Sequence, residues 1–85
     1  MLQQQNLEVS RIYKVDGESK LKAFVDIALG DWVIKGLRIV EGKDGLFLGM
    51  PRHQGKDGRW YNTVTLNSKE VLQELTDLVL NAYNQ

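Results

Sequence analysis

The stretch LKAFVDIAL, Leu21 to Leu29, constrains this chain more than any other. Leu21, Ala23, Val25, Ile27 and Leu29 alternate with Lys22, Phe24, Asp26 and Ala28. Side chains leave a strand on alternate sides, so a period of two puts the first five on one face. A strand of this kind must bury that face against another layer and leave the other face nearer water. Phe24 is expected on that other face.

The segments around it are punctuated as hairpins. Asp16-Gly17 precedes this strand and Gly30-Asp31 follows it, both suited to tight turns. Before the first turn, Leu7, Val9 and Val15 share a parity with Arg11 and Tyr13, which reads as a half-buried strand. After the second, Trp32 to Val40 is rich in β-branched and aromatic residues, and its alternation slips around Gly36, where a bulge or a close backbone contact is expected. EGKDG is a third turn. Leu46, Leu48 and Met50 then alternate with Phe47 and Gly49, and Pro51 ends the strand. PRHQGKDG reads as a long polar loop, and Trp60 to Leu66 as another short strand.

The period then changes. Val71, Leu75, Leu78, Val79 and Ala82 fall on one helical face with Leu72 beside them, predicting a helix from about Ser68 to Tyr83. Asn67 stands three residues before Glu70, a variant of the capping box, and Leu66 and Val71 are placed to staple across it. Ser68 is the competing cap. Strands joined by hairpin-length turns make an antiparallel meander. The expected fold is therefore α+β: four to five strands and one C-terminal amphipathic helix covering one sheet face. Residues 1–6 are expected to be a flexible arm, and 7–85 a single domain.

A chain of 85 residues buries only roughly 60–65% of the surface its unfolded form exposes, so its core is marginal. Cys is 0 and His is 1, which removes disulfides and thiolate or multi-histidine metal sites as supports. Self-association remains, and a homodimer is expected. Lys+Arg 11 against Asp+Glu 11 gives a net charge of +0, so any polyanion must be held by a local patch. MLQQQN is not a basic region leading into an apolar run, and no stretch approaches the roughly 20 apolar residues of a membrane span. A cytoplasmic protein that takes no cofactor, no small-molecule substrate and no membrane is expected.

Few residues suggest chemistry. GKDGLFLG lacks the Gly-Lys-Ser/Thr of a phosphate-binding loop and the spacing of a dinucleotide fingerprint, so its Asp-Gly pairs read as turns. His53 as a general base is weighed against a plain surface histidine, in a loop without a recognisable nucleophile. The cationic loop is the better candidate. Arg52, His53, Lys56 and Arg59 lie close in sequence and run into Trp60 and Tyr61. Cations grip phosphates and aromatic rings stack bases, the combination that single-strand binders use. The alternative is a solvated loop followed by a core tryptophan. Trp32, Phe24 and Leu46 to Met50 are open to two readings, a subunit interface or completion of the monomer core.

The segments LEVSRIYKV, LKAFVDIAL, DWVIKGLRIVEGKDGLFLGMP and KDGRWYNTVTLNS resemble the SpoVG family, the stage V sporulation (septation) protein G group. The resemblance covers nearly all of the chain after the arm. Its most specific part is IVEGKDGLFLGMP, followed by a basic loop, an aromatic after Asp-Gly, and the Asn-Ser that opens the helix. It implies an antiparallel sheet with a C-terminal helix, a small dimer, and a cytoplasmic regulator that binds DNA or RNA through the basic segment after Met-Pro and the helix region. By position, Arg52, Lys56 and Arg59 match that basic segment. The family's His-Pro-Ile before the helix is replaced here by NTVTL, and its strand-three histidine and aspartate by Lys35 and Gly36. The helix carries Glu70, Glu74 and Asp77 against Lys69, so nucleic-acid binding by the helix is not carried over. The expected function is a non-enzymatic, dimeric nucleic-acid-binding regulator, with Arg52, Lys56 and Arg59 on phosphates and Trp60 or Tyr61 stacking a base. The second reading is a protein-interaction module of the same fold.

Overall fold

A computed structural model describes residues 7–85. The expected arm, residues 1–6, lies outside them. The elements run β1 (Leu7–Lys14), β2 (Leu21–Leu29), β3 (Trp32–Gly42), β4 (Gly45–Gly49), β5 (Arg52–Gln54), β6 (Trp60–Asn62) and α1 (Lys69–Tyr83). Strands β1 to β4 form one antiparallel sheet in chain order, as the meander predicts. The segment expected to be a polar loop is instead half of a second sheet. Strands β5 and β6 pair with each other as a separate hairpin, and β6 ends at Asn62 rather than Leu66.

The alternation in β2 sets the core. Ala23, Val25 and Ile27 are buried with Leu37 and Ile39 of β3, and the helix closes over them with Leu75 and Val79. Partly buried side chains from the edge strands complete the layer, among them Val9, Ile12, Leu46 and Leu48. Nothing covers the opposite face among the described residues, and Phe24 on it is 42% exposed.

The sheet has three register shifts, between Val9 and Arg11, Leu21 and Ala23, and Val25 and Ile27; the first and last decide where Tyr13 and Arg38 point. In β1 the pairing shifts between Val9 and Arg11. The shift inserts one residue and turns Ile12 inward, so the expected parity of Arg11 and Tyr13 with Val9 is overturned. Both point outward, because burying Ile12 is worth more than burying an arginine. In β3 the expected slip at Gly36 is present. Val25 faces Leu37 but Ile27 faces Ile34, so Lys35 and Gly36 together stand opposite the single Asp26, one residue in excess. Gly36 has φ 93, a backbone conformation that a side chain disfavours. Without the slip, Ile34 and Leu37 would lie on opposite faces.

The helix starts at Ser68, not Asn67. Ser68 has extended φ and ψ, and its Oγ accepts from the Val71 N–H at 3.2 Å. That geometry satisfies one of the free amides of the first turn and moves the cap one residue along from the expected box. Leu66 and Val71 still line one apolar cleft with Leu29 and Ile34. Leu78, expected on the buried stripe, is only half-buried, whereas Leu80 and Tyr83 pack on the core. Lys14 of β1 lies 5.0 Å over the Tyr83 ring, tying the helix end to the sheet edge.

Leu75→Ala should cost about 2–5 kcal/mol in a urea titration, the range for a large-to-small core change. Glu74→Ala should stay within about 0.5 kcal/mol. Equal effects would show that the buried helical stripe lies elsewhere. Ser68→Ala should cost about 1 kcal/mol and Asn67→Ala less, since Ser68 makes the capping bond; the reverse order would return the cap to Asn67.

Candidate nucleic-acid interface

The candidate residues lie on the β5–β6 hairpin. Its register pairs Arg52 with Asn62, His53 with Tyr61, and Gln54 with Trp60. Directly opposed residues share a face. Arg52, Gln54, Trp60 and Asn62 therefore lie on one face, and His53 and Tyr61 on the other. The Arg52 guanidinium sits 5.2 Å from the Trp60 ring centroid, a cation over an aromatic face. Trp60 is 56% exposed, so it is not a core residue.

Local hydrogen bonds hold the hairpin in shape. The Gly55 N–H donates to the Arg59 carbonyl at 2.8 Å, and Gln54 Nε2 donates to the Gly58 carbonyl at 3.0 Å. At the base, the Thr63 N–H donates to the carbonyl of Pro51 at 2.8 Å. Asp57 braces the tip. Its Oδ1 accepts from the Arg59 N–H at 3.0 Å and its Oδ2 from the Tyr61 hydroxyl at 2.6 Å. The Tyr61 bond lowers the Asp57 pKa most, with help from the Arg59 amide, and the same bond raises that of Tyr61. The structure thus brings Arg52 and Trp60 together and turns Tyr61 to the other side, with its hydroxyl tied to Asp57. Lys56 and Arg59 are exposed at the tip. His53 Nδ1 lies 3.2 Å from the Thr63 hydroxyl, and its ring centroid is 6.0 Å from that of Tyr61.

One cation was missed in the sequence. Arg38 of β3 pairs with Phe24 on one side and Gly49 on the other, on the open sheet face. Its Nη2 donates to the Met50 carbonyl at 3.3 Å. A Cβ at Gly49 would stand 2.7 Å from that nitrogen, so the glycine leaves the room in which the guanidinium lies. Partial burial, and secondarily the positive charge of Arg52, hold the Arg38 pKa below the ordinary arginine range. Arg38 thus extends the hairpin cations onto the sheet. Only its alternation after the bulge at Gly36 hinted at an outward position.

Among the described residues, no group of three or more His, Cys, Asp or Glu side chains is placed to hold a metal ion. No described helix is long and apolar enough to cross a membrane.

The sequence model of the SpoVG family matches residues 5–85. Three relatives that bear the septation-protein name SpoVG align over most of the chain. The one from Archaeoglobus fulgidus is 37% identical over 76 residues, covering 88% of this chain and 89% of its own length. The one from Staphylococcus carnosus is 33% identical over 76 residues, covering 88% and 71%. The one from Symbiobacterium thermophilum is 37% identical over 75 residues, covering 87% and 54%. The meander, the helix over one face and the match across residues 5–85 agree, and the chain belongs to the SpoVG family.

Proposed function

We propose that this chain is a non-enzymatic nucleic-acid-binding regulator that acts as a homodimer in the cytoplasm. The observation that carries the reading is the pairing of Arg52 with Trp60 on a projecting hairpin whose tip adds Lys56 and Arg59. Arg52, Lys56 and Arg59 would each contact a phosphate, and Trp60 would offer its exposed face to a base. Tyr61 supports the same site from behind through Asp57. Asp57 also puts one negative charge in the tip, so the local field is moderate and binding should be permissive rather than tight. The seven-residue buried core is small for an independent monomer, and Trp32, 75% exposed beside the β2–β3 turn, is a surface a second copy would cover.

A protein-interaction module is the second reading, favoured by the same exposed tryptophan. Salt separates the two. If three cations each neutralise a phosphate, the logarithm of duplex affinity should fall against the logarithm of salt with a slope of about −3 per protomer. Replacing Arg52, Lys56 and Arg59 together by Gln should flatten that slope and weaken all sequences alike. Trp60→Ala should weaken single strands by about 1–3 kcal/mol and leave the melting curve nearly unchanged, since the side chain is largely exposed. Fluorescence anisotropy titrations on DNA and RNA would read all three. A folded triple variant that binds as the parent does would remove the hairpin from the site, and a parent without salt-sensitive binding would favour the protein-interaction reading. Light scattering at micromolar concentration should return twice the chain mass, and the single-chain mass throughout would remove the dimer.

A further inference from the structure

The open face of the sheet carries rings that the core does not use. Tyr13, Phe24 and Phe47 are 48%, 42% and 50% exposed. Tyr13 and Phe24 are direct cross-strand partners, Phe24 faces Arg38, and Arg38 faces Gly49, so one row crosses all four strands. Phe47 stands in the next row, opposite Val40. Tyr13 is steadied by Arg11, whose Nη1 donates to its hydroxyl at 3.0 Å.

Charge is distributed unevenly over this face. Its carboxylates are Glu8 and Asp26; Asp26 stands opposite Arg11, and Glu8 opposite Ala28, farther from the aromatic row. At the β4 end of that row lies Arg38, whose Nη2 donates to the Met50 carbonyl at 3.3 Å, two residues before Arg52 opens the hairpin. The one ion pair among the described residues joins Lys22 to Glu41 at 3.6 Å, so neither Arg38 nor Arg52 has a carboxylate partner there. Two neighbouring guanidiniums without a counter-charge, at the end of a row of exposed rings, call for an anion that also brings planar apolar surface.

We propose that this face is a platform for single-stranded nucleic acid, with unpaired bases stacking on Phe24 and Tyr13 and phosphates held by Arg38 and Arg52. This rests on the nucleic-acid reading above and adds to the hairpin a second surface, one that takes unpaired strands. The bases of a duplex are stacked on one another and present only their edges, so a flat sheet face has nothing to stack against. An unpaired base offers a whole ring, and any base can take the place. A second copy of this chain is the weaker occupant. A twofold partner would bring the same two arginines to the seam, and the acids it brings are Asp26, already opposite Arg11, and Glu8, away from the aromatic row.

The test uses the full chain and labelled 12-mers of oligo(dT), oligo(U) and a mixed duplex, read by fluorescence anisotropy. Phe24→Leu with Tyr13→Leu keeps apolar bulk but removes the flat rings. It should weaken both single strands by about tenfold or more, following the stacking contribution per base, while duplex affinity changes less than about twofold. Phe24→Tyr should bind as the parent does, because the ring is kept. Arg38→Gln should weaken single strands and flatten their salt dependence. A thermal melt of each variant checks the fold; Phe24→Tyr against Phe24→Leu, both keeping the bulk, decides the matter even if the double variant is unstable. Equal losses on single strands and duplex, or no loss on single strands, would overturn the platform. So would a double variant that becomes monomeric in light scattering yet binds single strands as before, since the face would then be a seam between copies. If the hairpin triple variant loses binding and the face variants do not, the platform fails while the hairpin reading stands. A parent that binds none of the three probes ends both.

Discussion

The pairing of β2 with β3, and its burial under a single helix, is the contact on which the rest depends. Val25, Ile27, Leu37 and Ile39 are almost wholly removed from water, and Leu75 and Val79 close over them. Burial of this kind is worth roughly 1.5–3 kcal/mol per side chain, and no disulfide adds to it in a chain with no Cys. One fifteen-residue helix can shield only one side of a four-stranded sheet. The second face is therefore left open by the same economy that makes the core.

The aromatic and cationic row on that open face is placed by two of the sheet's three register shifts. The bulge in β1 sends Tyr13 outward next to Phe24, and the bulge at Gly36 sends Arg38 outward on the other side. Each is needed for the core, since Ile12 and Leu37 must face in. The aromatic and cationic row is thus a by-product of how the inner face is filled. Pro51 is buried beside the β3 bulge and lies at the base of the hairpin. This brings Arg52 toward Arg38 and makes the hairpin and the sheet one continuous surface.

The hairpin shows a different balance. It is small and exposed, and buries little apolar surface of its own. Its shape comes from the base bond between Thr63 and Pro51, the turn at Gly58, and the two bonds to Asp57. The first Lys-Asp-Gly turns β3 into β4 with Gly45 at φ 119, and the second turns β5 into β6 with Gly58 at φ 84. Both repeats are folding devices. The side chains they present at the second turn carry the functional reading.

The α+β class, the order of the first four strands, the outward position of Phe24, the slip at Gly36 and the helix were all legible in the sequence, because each rests on local periodicity or on turn chemistry. So was the grouping of Arg52, Lys56, Arg59, Trp60 and Tyr61, which are near neighbours along the chain. The outward turn of Tyr13 was not legible, since it depends on whether Ile12 or its neighbours fill the core. Nor was the split of Trp60 from Tyr61, which follows from the pairing of two three-residue strands too short to carry a period. The approach of Arg38 to Arg52 joins residues on different sheets, and only the packing of Pro51 against the β3 bulge decides it. The sequence by itself determined which segments alternate and where they turn; the tertiary structure decided which residues meet, because one-residue shifts in register are chosen by the filling of a shared core.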